Sequence, residues 1–410
     1  MRNSGRCVLV ACLLIGASLT GAPALAGTTT TPTPTPTYGS GPGTSLTVGG
    51  ERLGVAGTQL DRPGGVPAPK VPKATSWLIA DLTNHTVLAA RNAHRGLAPA
   101  STLKIFTALA LATELSPRQV YTAKPADAAI DGTKVGLVPG SRYTVDDLVH
   151  GLLMGSGNDC AHALGQLSGG QAAAVAKLQA VARDLGALDT VPRTTSGLDA
   201  PGQTSSAYDL ALAGAAALQN PYLAKVMTTR QYAFPGRGKS FGKSRDRFST
   251  QNHNHLLGTL QGATGVKNGY TVAAQASFVG SASRGGHSYL VVMMHTGGAT
   301  IFTGATAMLD WAFRYGPQVT PVGTLVQPGE LGAGTEDAAP QAVPHLAGAQ
   351  QAPLADRLAN AAQVRLERLG LSRDELYVFV GAVLVAALAA GSLVLRQRRS
   401  RQVRHERFYY

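Results

Sequence analysis

Apolar and polar positions divide the chain into short alternating runs, longer helical runs, and stretches with no periodicity. Ser76–Asp81 and Thr86–Ala90 read as two strands around a turn at Thr83-Asn84-His85. A small-residue turn at Ala98-Pro99-Ala100 then enters the Ala/Leu-rich run Ser101–Leu111, which predicts a buried helix. Thr144-Val145-Asp146-Asp147 caps another helix carrying Leu148, Val149, Leu152 and Leu153; it stops at Gly155-Ser156-Gly157-Asn158, and Asp159 opens the next. Residues 171–185 form an Ala-rich helix, and 235–257 read as a polar, basic, Gly-rich loop. Three strand-like runs follow, Gly262–Asn268, Ala274–Ala282 and Ser288–His295, before a closing helix over Thr300–Arg314. Strands first, helices in the middle, then antiparallel strands and a helix predict an α/β (α+β) sandwich whose sheet is built by both ends of the domain.

Outside this periodic part the composition changes. Arg2 and Arg6, an apolar run Cys7–Leu19 and the small-residue site Ala24-Leu25-Ala26 predict a signal peptide over 1–26. Residues 27–73 are Thr/Pro- and then Gly/Pro-rich and read as a spacer. The folded domain is expected over 74–326, and 327–375 return to Gly, Ala and Pro with a short amphipathic helix near Leu354–Leu371. Leu376–Leu395 carries no charge and is long enough to cross a bilayer. Six arginines between Arg396 and Arg407 follow it, which predicts a basic cytoplasmic tail over 396–410 and a domain outside the cytoplasmic membrane. These arginines also explain part of the net charge of +13, so that charge does not indicate nucleic acid. Without the leader, Cys160 is the only thiol and no internal disulfide is possible.

Chemistry concentrates at three places. Ser101 and Lys104 stand three apart, hence on one helix face. A serine hydroxyl becomes a nucleophile when a base removes its proton, and a lysine serves as base once desolvation discharges it. Ser156-Gly157-Asn158 supplies a second hydroxyl and a carboxamide in a helix–helix loop. Lys267-Asn268-Gly269 ends a strand, with Tyr270 and Thr271 beyond, where an extended substrate can lie alongside and a cation can meet its carboxylate. His253 and His255 lack a third ligand at metal spacing, and Cys160 reads as a buried structural thiol.

In this order the three elements resemble those of penicillin-binding proteins and serine β-lactamases. The match is closer to the D-alanyl-D-alanine carboxypeptidases of serine peptidase family S11. It is carried by Pro99–Lys104, Leu153–Ala161, Thr195–Asp199, Ser205–Leu210, and Gly265–Thr271 with Val279–Ala282. The resemblance spans roughly 74–318 and implies a penicillin-binding, transpeptidase-like fold and hydrolysis of D-Ala-D-Ala stem peptides of peptidoglycan, without metal or cofactor. It implies Ser101 as nucleophile and Lys104 as base, Ser156 and Asn158 for leaving-group protonation and orientation, and Lys267 for the terminal carboxylate, with Thr271 as neighbour. Backbone N–H groups of Ser101 and Tyr270 would form the oxyanion hole beside Gly269, and β-lactams would acylate Ser101. Two departures stand out: Asn268 replaces the family's usual threonine, and no β-rich second domain follows. The rival β-lactamase reading lacks a deacylating glutamate, since none occurs between Glu114 and Glu330; a non-catalytic wall-binding scaffold is the other alternative.

Overall fold

The computed structural model describes residues 47–239 and 245–331. The expected signal peptide, residues 27–46 of the spacer, the helix over 376–395 and the basic tail lie outside the described residues. Among those described, no helix is long and apolar enough to cross a membrane.

The centre of the molecule is an antiparallel sheet. Strands β1 (Thr58–Leu60), β2 (Ala74–Asp81), β3 (Thr86–Arg91), β8 (Ala263–Thr271), β9 (Gln275–Arg284), β10 (His287–Thr296) and β11 (Gly323–Thr324) belong to it. The order is β1-β3-β2-β10-β9-β8, and β11 pairs with β3. β2 thus bridges the first and last parts of the domain, with Ala74 opposite Thr296 and Asp81 opposite Tyr289. Alternation along the strands sorts side chains into two cores. Leu78, Ala80, Leu290, Val292 and Met294 face one apolar cluster, while Trp77, Ile79, Tyr289, Val291 and Met293 face the other. Both faces are covered, so β2 and β10 read as near-continuous apolar runs rather than alternating ones.

One face is covered by α10 (Ile301–Tyr315), the last α-helix among the described residues, through Met308, Leu309, Trp311 and Ala312. The other carries the helical middle of the chain. Here lie α2 (Lys104–Thr107), α3 (Pro125–Ala129), α4 (Val145–Leu153), α5 (Asn158–Leu167), α6 (Gln171–Asp184), α7 (Ala207–Gln219) and α8 (Pro221–Thr228). Thr144 and Asp147 cap α4 reciprocally: the Asp147 amide donates to Thr144 Oγ1 at 3.0 Å, and the Thr144 amide to Asp147 Oδ2 at 2.8 Å. Two small hairpins complete this side, β4 (Val120–Thr122) with β5 (Arg142–Thr144), and β6 (Gln231–Pro235) with β7 (Arg247–Gln251).

Three expectations change. The spacer does not extend to residue 73: α1 (Glu51–Gly54) and β1 fold onto the domain, Leu53 and Val66 are buried, and the Trp311 indole donates to Pro67 O at 2.7 Å. Gly/Pro-rich composition concealed this because the segment is held by backbone pairing and two apolar anchors rather than by periodicity. The segment after Pro99 is not one regular helix; a 3-10 turn over Ala100–Leu103 passes through α2 into a π-helical turn over Ala108–Ala112. The basic loop at 235–257 contains β7 and the short helix α9 (Leu256–Thr259). Its strand was hidden because most β7 side chains are exposed and show no apolar alternation.

Candidate active site

Ser101 enters the site through a kinked backbone. Ala100 adopts φ +50°, a left-handed value rare for a residue with a Cβ. The kink is held by Pro99 O, which accepts from Thr102 Oγ1 and from Ser277 Oγ of β9, both at 2.6 Å. Gly197 packs beneath it, where a Cβ would stand 1.9 Å from Ala100 O. The turn is therefore locked to the sheet on one side and to the loop before α7 on the other.

Lys104 is fully buried and makes three polar contacts: Ser101 Oγ at 2.9 Å, Asn158 Oδ1 at 2.7 Å and Ser196 O at 2.6 Å. Two of these atoms only accept. A neutral amine has two N–H bonds and one lone pair, so satisfying Asn158 and Ser196 leaves the lone pair for the Ser101 hydroxyl. Burial, reinforced by the Lys267 charge, holds the Lys104 ammonium well below its ordinary value, against smaller opposing contributions from Cys160 and Asp159. The depressed ammonium and the direct hydrogen bond to Ser101 Oγ are what a base for this serine needs.

Asn158 is fixed in turn. Its Nδ2 donates to Asp131 O and its amide to Thr133 O, each at 2.7 Å. The next residue, Asp159, is buried at the start of α5 and collects four amides, from Val135, Gly136, Leu137 and Cys160, at 2.7–3.1 Å. This carboxylate clamps residues 135–137 against the Ser156 loop. Ser156 itself is buried at φ +57°, the second left-handed non-glycine residue of the site. Cys160 is buried and free, and burial pushes its thiol well up, as a structural thiol requires.

The edge strand β8 closes the site. Gly269 lies directly on the nucleophile turn: a Cβ there would meet Ser101 N at 2.6 Å and Thr102 N at 3.0 Å. Lys267 is buried, and burial lowers its ammonium to about 7. Its Nζ donates to Asn268 O at 2.6 Å and lies 3.3 Å from Asn268 Oδ1. The Asn268 side chain thus lends an oxygen to the lysine. Tyr270 is 67% exposed at the mouth. The Thr271 hydroxyl donates to Asp199 Oδ1 at 2.7 Å and accepts from Ala274 N at 3.0 Å, so its proton is engaged at the rim of the site.

Ser101, Lys104 and Asn158 are joined by direct bonds, and Gly269 brings the Lys267 strand against the same turn. The Ser196 carbonyl, the Asp131 carbonyl and the Asp159 carboxylate complete the arrangement. The first two act through the main chain, which leaves no side-chain signal in the sequence. Asp159 was read as a helix-opening residue within the Leu153–Ala161 segment, and its clamping of residues 135–137 was not visible. His253 lies nearby, its amide donating to Met154 O at 3.0 Å. Partial desolvation, with the Lys267 and His255 charges, keeps its imidazole below the ordinary range.

An antiparallel sheet with a helical layer, holding a serine hydrogen-bonded to a buried lysine and a second buried lysine on the adjoining strand, defines a serine acyl-transfer enzyme with a lysine base. The chain belongs to the D-alanyl-D-alanine carboxypeptidases of peptidase family S11, whose pattern matches residues 65–297. It is 39% identical over 268 residues to D-alanyl-D-alanine carboxypeptidase DacB2 of Mycobacterium tuberculosis, covering 64% of this chain and 89% of that protein. To DacC of Escherichia coli it is 30% identical over 272 residues, 63% of this chain and 65% of that one. Among solved structures, a D-alanyl-D-alanine carboxypeptidase of M. tuberculosis superposes with a TM-score of 0.60 at 38% identity, covering 65% of this chain and all (100%) of that one. The Streptomyces K15 DD-transpeptidase superposes at 0.57 with 26% identity, covering 61% and 100%.

Proposed function

We propose that this protein is a membrane-tethered serine D,D-carboxypeptidase acting outside the cytoplasmic membrane on peptidoglycan stem peptides that end in D-Ala-D-Ala. The observation that carries the reaction is the buried Lys104 amine, its ammonium held well below the ordinary range, hydrogen-bonded to Ser101 Oγ and to two fixed acceptors. Lys104 takes the Ser101 proton as Oγ attacks the carbonyl between the two D-alanines. The oxyanion is held by the backbone N–H groups of Ser101 and Tyr270, a reading supported by the close packing of Gly269, the residue before Tyr270, on the Ser101 amide. Ser156 passes a proton to the departing amine while Asn158 orients the substrate amide. The peptide C–N bond breaks, free D-alanine leaves, and an acyl-Ser101 ester remains. Water, deprotonated by the same lysine, hydrolyses that ester and regenerates the hydroxyl.

The substrate peptide adds along the free edge of β8, a strand-addition mode in which main-chain bonds supply affinity. Its terminal carboxylate meets Lys267, whose buried charge gains a partner on binding. The anchor rests on sequence alone: Leu376–Leu395 with the arginines after it supports a single C-terminal span with the tail inside, and the N-terminal leader supports export. Release of D-alanine from a D-Ala-D-Ala peptide, followed beside labelling by fluorescent penicillin, tests the reaction. Both signals vanish in Ser101→Ala; release persisting in that variant overturns the assignment. Fractionation with protease protection tests the anchor: the domain is digested from outside in intact protoplasts, and full protection of it refutes the topology.

A further inference from the structure

Alternate residues of a strand point the same way, so the face of β8 that meets the nucleophile turn carries Lys267, Gly269 and Thr271. Gly269, in the middle, lies against the Ser101 amide. Lys267, on one side of it, is the buried cation assigned above to the terminal carboxylate. Thr271, on the other side, holds a group of the opposite charge: its hydroxyl donates to Asp199 Oδ1 at 2.7 Å. An ammonium, the serine turn and a carboxylate therefore follow one another along the strand, each step being two residues or about 6.8 Å.

Asp199 is exposed. Among the described residues it accepts no side-chain hydrogen bond but that of Thr271 and enters no ion pair. The main chain before it is anchored: Leu198 O accepts from Gln203 Nε2 at 2.7 Å, and Ser196 O from Lys104 Nζ at 2.6 Å. Leu198 is half-buried, and a Cβ on Gly132 would stand 3.3 Å from Leu198 Cδ2 and 2.6 Å from Asn158 Nδ2. An apolar side chain thus lies beside the carboxamide that orients the substrate, one residue from the carboxylate. Lys134, in the same loop as Gly132, donates to Ala128 O at 3.1 Å and is not paired with Asp199.

The inference rests on the proposed function, which fixes the direction of the substrate. With its terminal carboxylate at Lys267 and its scissile carbonyl at Ser101, the peptide continues past Gly269 toward Thr271. The residues that precede the two D-alanines then come opposite Tyr270 and Thr271. We propose that Asp199 is a specificity-determining residue that pairs with a side-chain ammonium on the residue before D-Ala-D-Ala, the substrate class being donor peptides with a basic alkyl side chain there. Leu198 covers the methylenes of such a chain while its charged head meets the carboxylate. Thr271 positions Asp199, occupying one oxygen and leaving the other for the ligand. The strand then complements the substrate twice, with a cation for its carboxylate and an anion for its amine.

The test uses the full-length enzyme and two N-acetylated tripeptides, one with lysine before D-Ala-D-Ala and one with norleucine, which has the same alkyl chain without the amine. The ratio of their kcat/KM values, read from D-alanine release, is internal to each protein and insensitive to losses shared by both peptides. Wild type is expected to favour the lysine peptide about 3–5-fold at low salt, the range of an exposed ion pair, and to lose the preference as salt is raised. Asp199→Asn keeps an acceptor for Thr271 but no charge, and treats the two peptides alike; Asp199→Glu restores the preference. Equal turnover of both peptides by wild type, or a preference retained in Asp199→Asn, overturns the proposal and leaves the D,D-carboxypeptidase standing. So does an equal loss on both peptides in Asp199→Asn with the ratio unchanged, which would make Asp199 only a support for Thr271. Release of D-alanine from neither peptide by wild type overturns the proposed function, and this inference with it.

Discussion

Gly269 touches Ser101 so closely that a single methyl group on the glycine would stand 2.6 Å from the serine amide nitrogen. That nitrogen is one of the two proposed oxyanion donors, and neither strand nor turn has room to yield: Ala100 Cβ is 3.0 Å from the same point. Gly269→Ala therefore separates the strand from the nucleophile turn. Penicillin acylation is expected to fall by about 10²–10³-fold, comparable with the loss of one oxyanion donor. Thermal unfolding measured alongside keeps the effect distinct from misfolding; acylation at the wild-type rate refutes the placement.

Lys104 donates to two fixed acceptors, so a replacement that keeps both N–H groups but offers no lone pair isolates basicity. Lys104→Gln meets that condition. Its acylation rate is expected to drop by about 10²–10⁴-fold, the usual contribution of a general base. Stopped-flow acylation by a chromogenic β-lactam reads it. A loss below tenfold would transfer the base role to another group.

Two buried lysines of opposite requirement predict a bell-shaped pH profile. Lys104 works uncharged, so the rate climbs as pH rises through its depressed pKa. Lys267 works charged, so substrate capture falls as pH passes about 7. A bound carboxylate raises the Lys267 pKa, hence the alkaline limb of kcat lies above that of kcat/KM. Lys267→Arg, whose guanidinium stays charged, is expected to remove the alkaline limb near neutrality. Profiles with unchanged limbs in that variant would dissociate Lys267 from the carboxylate.

Burial of the same ammonium also affects folding. The folded-state pKa of Lys267 lies at about 7, below its unfolded value, so between these values the unfolded chain binds more protons. Stability from this group consequently rises with pH across roughly 7 to 10, by about 1.4 kcal/mol per pH unit, and is lowest below pH 7. Lys267→Met removes the penalty: at pH 6 it should melt several degrees higher while capturing carboxylate substrates poorly. Calorimetry at pH 6 and pH 9 tests this, and an equal or lower midpoint at pH 6 contradicts it.

Asn268 gives a smaller and more specific effect. Its Oδ1 is a long 3.3 Å from Lys267 Nζ, the weaker of two acceptors. Asn268→Ala should raise KM about 2–5-fold with kcat little changed, the size of one modest hydrogen bond. A dominant change in kcat would place Asn268 in the chemistry instead.

The sheet was legible because β2, β9 and β10 are runs of apolar residues between turn signals, and their order implied pairing between the two ends of the domain. Of the candidate site, the structure joins Ser101, Lys104 and Asn158 by hydrogen bonds and brings the Lys267 strand onto the same turn through Gly269; these were readable as side-chain types at fixed spacing. What stayed hidden acts through the main chain or through tertiary packing. The Ser196 and Asp131 carbonyls carry no residue-type signal. The φ +50° of Ala100 is imposed by Gly197 and Pro99 contacts rather than by Ala100 itself. Residues 47–73 fold because Leu53, Val66 and Pro67 find partners contributed by distant segments. No local pattern announces that.

The position of β2 has a consequence for timing. Its register with β10 joins residues 74–81 to residues 289–296, so the middle of the sheet needs a strand made more than two hundred residues later. Until Thr296 is available, β2 and β3 form an isolated hairpin with both apolar faces bare, which is marginal in water. Loop closure of that length is also slow. The nascent chain therefore cannot close its sheet until nearly the whole domain has been made, which would suit the export proposed from its N-terminal leader.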